Sequence, residues 1–350
     1  LENFYSKLKQ RSFWRSGVVD VSPLALADIY SKKWTINPEW EIGTAGSCFA
    51  QHIARYMTQN GYNVLDVETA PNGLKPERRQ AYGYALYSGR YGNIYTTRQF
   101  RQLIEETFAP SPQEVLIWEK DGRFYDALRP NIEPSGFATA QEVADARAYH
   151  LERLRILFCN VDMFVFTMGL TEAWVHQRSG RVVPIAPGII AGGETAPDYS
   201  FVNFSYPDVV ADFQAAMAVL EANRSKPLRY LLTVSPVPLT ATATGGHILT
   251  ASTYSKAVLR AAAGFLSDNN DNIDYFPSYE IVTNPGNRGT FFAANLRSVR
   301  SEGVEVVMKS FFAQHPPETP HPGPASKQKK AVVSTEDVQC EEALLGAFGK

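Results

Sequence analysis

An α/β fold of the three-layer sandwich type, with a central parallel sheet and β-hairpin insertions, is what the sequence predicts, and three features predict it. Short apolar runs recur along the chain, helical patterns separate the later ones, and hairpin turn signals interrupt the middle. The strand-like runs are residues 40–44, 63–65, 163–168, 229–234 and 273–276. The first helical pattern spans 50–60, with Ile53, Ala54 and Met57 on one face and Gly61 as its stop. Longer ones follow at 141–160, 207–223 and 253–267, each with apolar residues three and four apart. Strand and helix in alternation imply parallel strands joined by crossover helices on both faces. Ligands of such sheets bind off the carboxyl ends of the strands. Ser47, Gly169-Leu170-Thr171-Glu172, Ser235-Pro236-Val237-Pro238 and Pro277-Ser278-Tyr279-Glu280 are expected to emerge there.

The segment 115–126 alternates about Asp121-Gly122, a strong hairpin signal, and a second hairpin is expected over 174–185 about Ser179-Gly180. Both read as insertions on one rim of the sheet. The organisation expected is one domain over 1–313 with its core at about 40–313, a flexible linker at 314–335 rich in Pro, Lys and Ser, and a short C-terminal helix within 336–350. Ser334-Thr335-Glu336-Asp337 offers that helix a capping pattern, and the helix is a possible docking element.

With 44% hydrophobic and 20% charged residues, 350 residues can bury a sizeable core. The net charge of −2 and the lack of a basic cluster interleaved with aromatics argue against a nucleic-acid partner. No apolar run approaches the ~18 residues that span a bilayer, and the start Leu1-Glu2-Asn3-Phe4 shows no basic stretch followed by an apolar one, although a chain without an initiator Met is compatible with a signal peptide already removed. Cys48, Cys159 and Cys340 are odd in number and far apart, which fits a reducing, cytoplasmic setting.

Gly46-Ser47-Cys48-Phe49-Ala50 places a hydroxyl on the turn between a strand and a helix N-terminus. The glycine permits a sharp turn, and the first amides and dipole of the helix would favour an oxyanion beside the serine. Ser47 is therefore a candidate nucleophile, and the competing reading is a plain N-cap. Cys48 is the rival nucleophile, its thiol expected to be acidified by the helix N-terminus; the alternative is a small buried apolar group.

That pentapeptide, together with 166–174, 232–240, Tyr254-Ser255-Lys256 and 274–280 in the same order, resembles the bacterial GSCFA family, which is akin to the SGNH/GDSL hydrolases. The resemblance covers about 43–312 and implies a serine esterase on an SGNH/flavodoxin-like sheet. By that likeness Ser47 stands as nucleophile, and Gly92 of Tyr91-Gly92-Asn93-Ile94 joins the Ser47 amide in an oxyanion hole. The chain departs from the likeness twice. Gly169-Leu170-Thr171-Glu172 replaces Gly-x-Asn-Asp, leaving Asn93 or Thr171 to supply the side-chain donor. Asn295-Leu296-Arg297-Ser298 replaces the late Asp-x-x-His, so base and acid must come from elsewhere.

Among the six histidines, His247 follows Gly245-Gly246 in a loop leaving the 229–234 strand and is the first choice of base. His176, in the second hairpin, is the next, as a substrate contact or an alternative base. His52 lies about 140° round the helix from Ser47 and reads as structural or surface. His150, His315 and His321 read as solvated. Glu172 is the first choice of acid, with Glu280 the alternative; either would equally suit an ion pair with Arg98 or Arg297. Lys256 reads as a solvated residue at a helix start, with a Ser–Lys dyad as its other reading. No metal-ligand spacing, phosphate loop or cofactor motif is present.

The expected activity is hydrolysis of an ester, deacylating a carbohydrate or small ester through acyl-Ser47. One alternative is a glycan O-acyltransferase using the same residues, with Trp118, Tyr125, Trp174 and Tyr279 offering stacking faces. The other is a catalytically inactive binding protein on a hydrolase fold.

Overall fold

The computed structural model describes residues 3–26, 28–317 and 340–349. In chain order it contains strand β1 (Ile42–Gly46), helices α1 (Ala50–Gln59), α2 (Pro76–Arg79) and α3 (Thr97–Thr107), and the pair β2 (Ile117–Lys120) and β3 (Arg123–Asp126). Helix α4 (Ala140–Asn160) leads to strands β4 (Met163–Met168), β5 (Glu172–His176), β6 (Val182–Val183) and β7 (Tyr199–Asn203). Then come α5 (Tyr206–Ala222), β8 (Arg229–Val234), α6 (Ile248–Asp268), β9 (Ile273–Tyr275), α7 (Ser278–Thr283) and α8 (Ser301–Gln314).

Strands β1, β4, β8 and β9 form the central sheet in that order, all parallel. Residues 63–65 contribute a single parallel bridge, Val64 to Ile42, rather than a full strand. Both faces of the sheet are buried, which is why its strands read as continuous apolar runs. Phe164, Phe166, Met168, Leu232 and Val234 pack on one face against Phe100 of α3, Leu157 of α4, Phe213 of α5 and Leu259 of α6. Met163, Val165 and Leu231 take the other, against Ile53 and Met57 of α1, Ile281 of α7, and Val307 and Phe311 of α8. Helices on both faces make the three layers expected.

The hairpin β2–β3 turns through Asp121 and Gly122 with φ of 52° and 69°, the left-handed pair of a type I′ turn. Strands β6, β5 and β7 form a separate antiparallel sheet that contains the second expected hairpin. Helices α3 and α8 carry signals the periodicity reading passed over: a Thr96/Gln99 capping box before Phe100, Leu103 and Ile104, and Val304, Val307, Met308 and Phe311 at helical spacing. Helix α8 runs to Gln314, the first residue of the expected linker. Most of that linker, the Ser334–Asp337 capping pattern and His321 lie outside the described residues. A 3₁₀ helix over Glu341–Phe348 represents the C-terminal helix. No helix among the described residues is long and apolar enough to cross a membrane.

Two histidines expected in solvent are buried. His150 Nδ1 lies 2.6 Å from Glu68 Oε2, and His315 Nε2 lies 3.1 Å from the Tyr30 hydroxyl. The helix face and chain position gave no sign that α4 and α8 would close over them. Burial lowers the pKa of His52, His150 and His315 to about 4, helped by Arg55, Arg129 and Lys32 respectively. Between about 4 and the ordinary value of about 6.5, the unfolded chain binds protons that these folded imidazoles refuse. Their contribution to stability is therefore complete above about pH 6.5 and is lost as pH falls toward 4. Urea unfolding at pH 7.5, 6 and 5 should show stability falling by up to about 4 kcal/mol per pH unit if all three contribute fully; a flat profile from 6.5 to 5 would refute their neutral burial.

Candidate active site

Strand β1 ends in a backbone that only glycine suits. Gly46 has φ of +136°, and a Cβ there would lie 2.4 Å from the Thr167 carbonyl oxygen on β4. The next amide, Ser47 N–H, donates to that same carbonyl at 3.0 Å. Ser47 O then accepts from Ala50 N–H at 2.8 Å, opening α1 with a tight turn. Two further loops are tied to this turn: Ile94 N–H donates to Gly46 O at 2.9 Å, and Gly169 and Leu170 N–H donate to Tyr95 O at 3.0 and 3.1 Å. Residues from the ends of β1 and β4 and from the 91–95 loop thus meet around one side chain.

That side chain is Ser47, 2% exposed, whose Oγ has no hydrogen-bond partner among the described residues. It caps no amide of α1, so the plain N-cap reading fails. Ser47 and Cys48 both line a cavity of about 10 Å³, closed by Tyr95, Gly169, Leu170, Ser235, Val237, Leu239 and Glu342. This is room for no more than a single water. Cys48 faces the same cavity as Ser47, and the expected acidification of its thiol is not found. Its thiol is hydrogen-bonded to that of Cys340, and that contact, with burial, pushes its pKa up rather than down. A thiol held protonated is a poor nucleophile.

Gly169 lies against Ser47, since a Cβ there would come 2.9 Å from Ser47 Cβ. Its carbonyl accepts from Lys256 Nζ at 2.6 Å, while the neighbouring Ser255 Oγ accepts from Thr171 N–H at 3.0 Å. Lys256 is therefore not a solvated residue at a helix start. It lies within α6, buried, and burial lowers its pKa to about 8 against the opposing pull of Glu342. A long polar residue in an otherwise apolar helical pattern was the available signal.

The first-choice base lies elsewhere. His247 is exposed at the N-terminus of α6, where its Nδ1 accepts from Leu249 N–H at 3.1 Å. Lys256 lies nine positions further along this helix, about 13 Å along the axis. Glu172 accepts from Thr242 Oγ1 at 2.6 Å and Ala243 N–H at 3.2 Å, which fastens a loop rather than orienting an imidazole. His176 bonds Ser179 Oγ at 2.8 Å and packs on Tyr199, holding its own hairpin turn. Glu280 pairs with Arg260 and accepts from the Tyr275 hydroxyl at 2.8 Å. Neither Arg98 nor Arg297 is its partner: Arg98 pairs with Asp212, and Arg297 with Glu342.

The expected oxyanion donors divide. Ser47 N–H is committed to Thr167, and Thr171 Oγ1 donates to Asn203 Oδ1 at 2.6 Å, so neither is available. Gly92 and Asn93 do lie beside the site. Asn93 Oδ1 accepts from the Tyr87 hydroxyl and from Gln51 Nε2 at 3.3 Å, which points its amide nitrogen at Glu341. Among the described residues, no group of three or more His, Cys, Asp or Glu side chains could hold a metal ion.

Three of the sequence blocks that first suggested a relationship, those at 46–50, 166–174 and 232–240, line this cavity. No curated protein matches the chain. The GSCFA family model matches residues 41–311, from the residue before β1 into the last turn of α8, and the chain belongs to the GSCFA family.

Proposed function

We propose that the chain is a serine-dependent acyl-transfer enzyme, acting as an esterase on a carbohydrate or small ester, with Ser47 as nucleophile and Lys256 as its base. The observation that supports this most is the Ser47 hydroxyl, buried and without a partner at the mouth of a helix. A buried hydroxyl left unpaired costs about 1–3 kcal/mol, a cost that a catalytic role explains. In this reading Ser47 Oγ attacks the ester carbonyl carbon and its proton passes to the neutral Lys256 amine, which gives it to the leaving alkoxide. The Gly92 amide and Asn93 side-chain amide face the developing oxyanion. Water, deprotonated by the same amine, releases the acid from acyl-Ser47. A sugar hydroxyl in place of water would make the same residues an acyltransferase.

A fluorophosphonate probe tests the proposal: its adduct should map to Ser47. Lys256→Met should slow labelling by about 10²–10⁴-fold, the usual worth of a positioned base, and His247→Ala should leave it unchanged. Because the unprotonated amine is the base, the wild-type rate should climb with pH through about 8 and level off above. A folded protein that takes no label at Ser47 even when Glu341 and Glu342, which close the cavity, are both changed to Gln would favour the inactive binding protein instead.

A further inference from the structure

The cavity at Ser47 is closed by the chain's own C-terminal segment, and what that segment inserts is acidic. Glu341 and Glu342, 4% and 9% exposed, open the 3₁₀ helix Glu341–Phe348. Glu341 Oε2 accepts from Asn93 Nδ2 and from the Tyr95 hydroxyl at 2.9 Å, and its other oxygen lies beside Gly92. Glu342 Oε1 accepts from Thr240 N–H at 2.6 Å, and Oε2 from Arg297 Nη2 at 2.9 Å. Burial raises the Glu342 pKa, opposed by Arg297 and by the Lys256 ammonium nearby.

The groups that bond the two carboxylates are all donors, and they come from three separate parts of the body, the 91–95 loop, the segment after β8 and the loop before α8, with the Lys256 cation of α6 nearby. Removing the tail would leave the largely buried Arg297 guanidinium without its carboxylate partner, a costly arrangement unless another anion takes the place. With the tail seated, a substrate has no room to reach Ser47.

We propose that this is a binding site for a carboxylate-bearing substrate, and that Glu341-Glu342 occupy it as an internal mimic which such a substrate displaces. The proposal rests on the reading of Ser47 as nucleophile for the use of the site, but the site itself is testable without it. Two of the donors stand apart from the nucleophile, base and oxyanion groups: the Thr240 amide, and Arg297, whose Nε is held by the Pro238 carbonyl at 3.1 Å. They fit an acyl donor or acceptor that carries its own carboxylate, and they disfavour a neutral ester.

The test uses the full chain with Glu341→Gln and Glu342→Gln, which keeps the tail's size and removes its charge. A fluorescent peptide with the sequence of residues 340–349 is titrated into it under reducing conditions, then challenged with glutarate or with the neutral glutaramide. The expected result is saturable peptide binding, displaced by glutarate at least tenfold more effectively than by glutaramide, and weakened at least tenfold by adding Arg297→Gln. Cys48 reports occupancy independently, because Cys340 rests on it: iodoacetamide should alkylate Cys48 faster in the double-glutamine chain than in the wild type. Equal displacement by glutaramide, or no peptide binding together with unchanged Cys48 alkylation, would overturn the proposal. Adding Ser47→Ala should leave peptide binding intact, so failure of Ser47 to label in the double-glutamine chain, while that chain still binds the peptide, would sink the catalytic reading without touching this one.

Discussion

A Ser47→Ala variant is expected to take up no fluorophosphonate, to slow any acyl transfer by at least about a thousandfold, and to be more stable than the wild type by about 1 kcal/mol. The first two effects follow from removing the nucleophile. The third follows from what the hydroxyl does in the fold, which is nothing: it is buried, it meets no partner among the described residues, and it caps no amide of α1. Alanine keeps the Cβ that packs on Gly169 and removes only the unpaired oxygen. Loss of function with gain of stability is the signature of a residue kept for chemistry. Urea denaturation beside the labelling assay reads both. A variant that is destabilised and still labels would show that Ser47 is structural and that the reactive group lies elsewhere.

Gly46→Ala is expected to cost about 3 kcal/mol or more, combining a side chain in a φ region that L-residues avoid with steric overlap on β4. The overlap is with backbone: the added Cβ would meet Thr167 O at 2.4 Å and Thr167 N at 2.7 Å, at the last pair of the β1–β4 register. Relief would require β1 to move off β4, and the Ser47 N–H bond to Thr167 O would be lost with it. Gly61→Ala is the control, since Gly61 also has positive φ, +85°, but nothing lies within 4 Å of its missing Cβ. The difference between the two variants in chemical denaturation isolates the clash. Equal costs would mean that β1 and β4 are not pressed together at this turn.

How far the sequence could be read depended on how local each signal was. The runs that became β4 and β8 were legible to the residue, because strands buried on both faces must be apolar throughout. The Asp121-Gly122 turn was legible because few residue pairs tolerate two positive φ values in succession. Ser47 was legible as a candidate because strand, glycine, hydroxyl and helix follow one another within a few residues. His247 misled for the opposite reason: a loop after a strand reaches the right edge of the sheet, but α6 begins at once and holds the imidazole at its own exposed tip. Lys256 was discounted because its helix was expected to start at about 253, which would have put it in the first turn and in solvent. The additional turn at the start of α6 places it inside the helix, opposite Gly169.

The sequence by itself determined the layered α/β fold, the hairpins, the family and the serine at the strand-to-helix turn. Each of these is written in short-range periodicity or in contiguous motifs, and backbone sterics and apolar burial enforce them wherever the segment sits. Only the tertiary structure decided which groups surround that serine: that its amide is spent on Thr167, that a lysine rather than a histidine sits behind Gly169, and that two glutamates from the end of the chain close the cavity. Those partners lie between about a hundred and three hundred positions away in sequence. No local pattern marks them, because their meeting is set by how helices pack on the two faces of the sheet, and a side chain's role follows from the partners that packing brings to it.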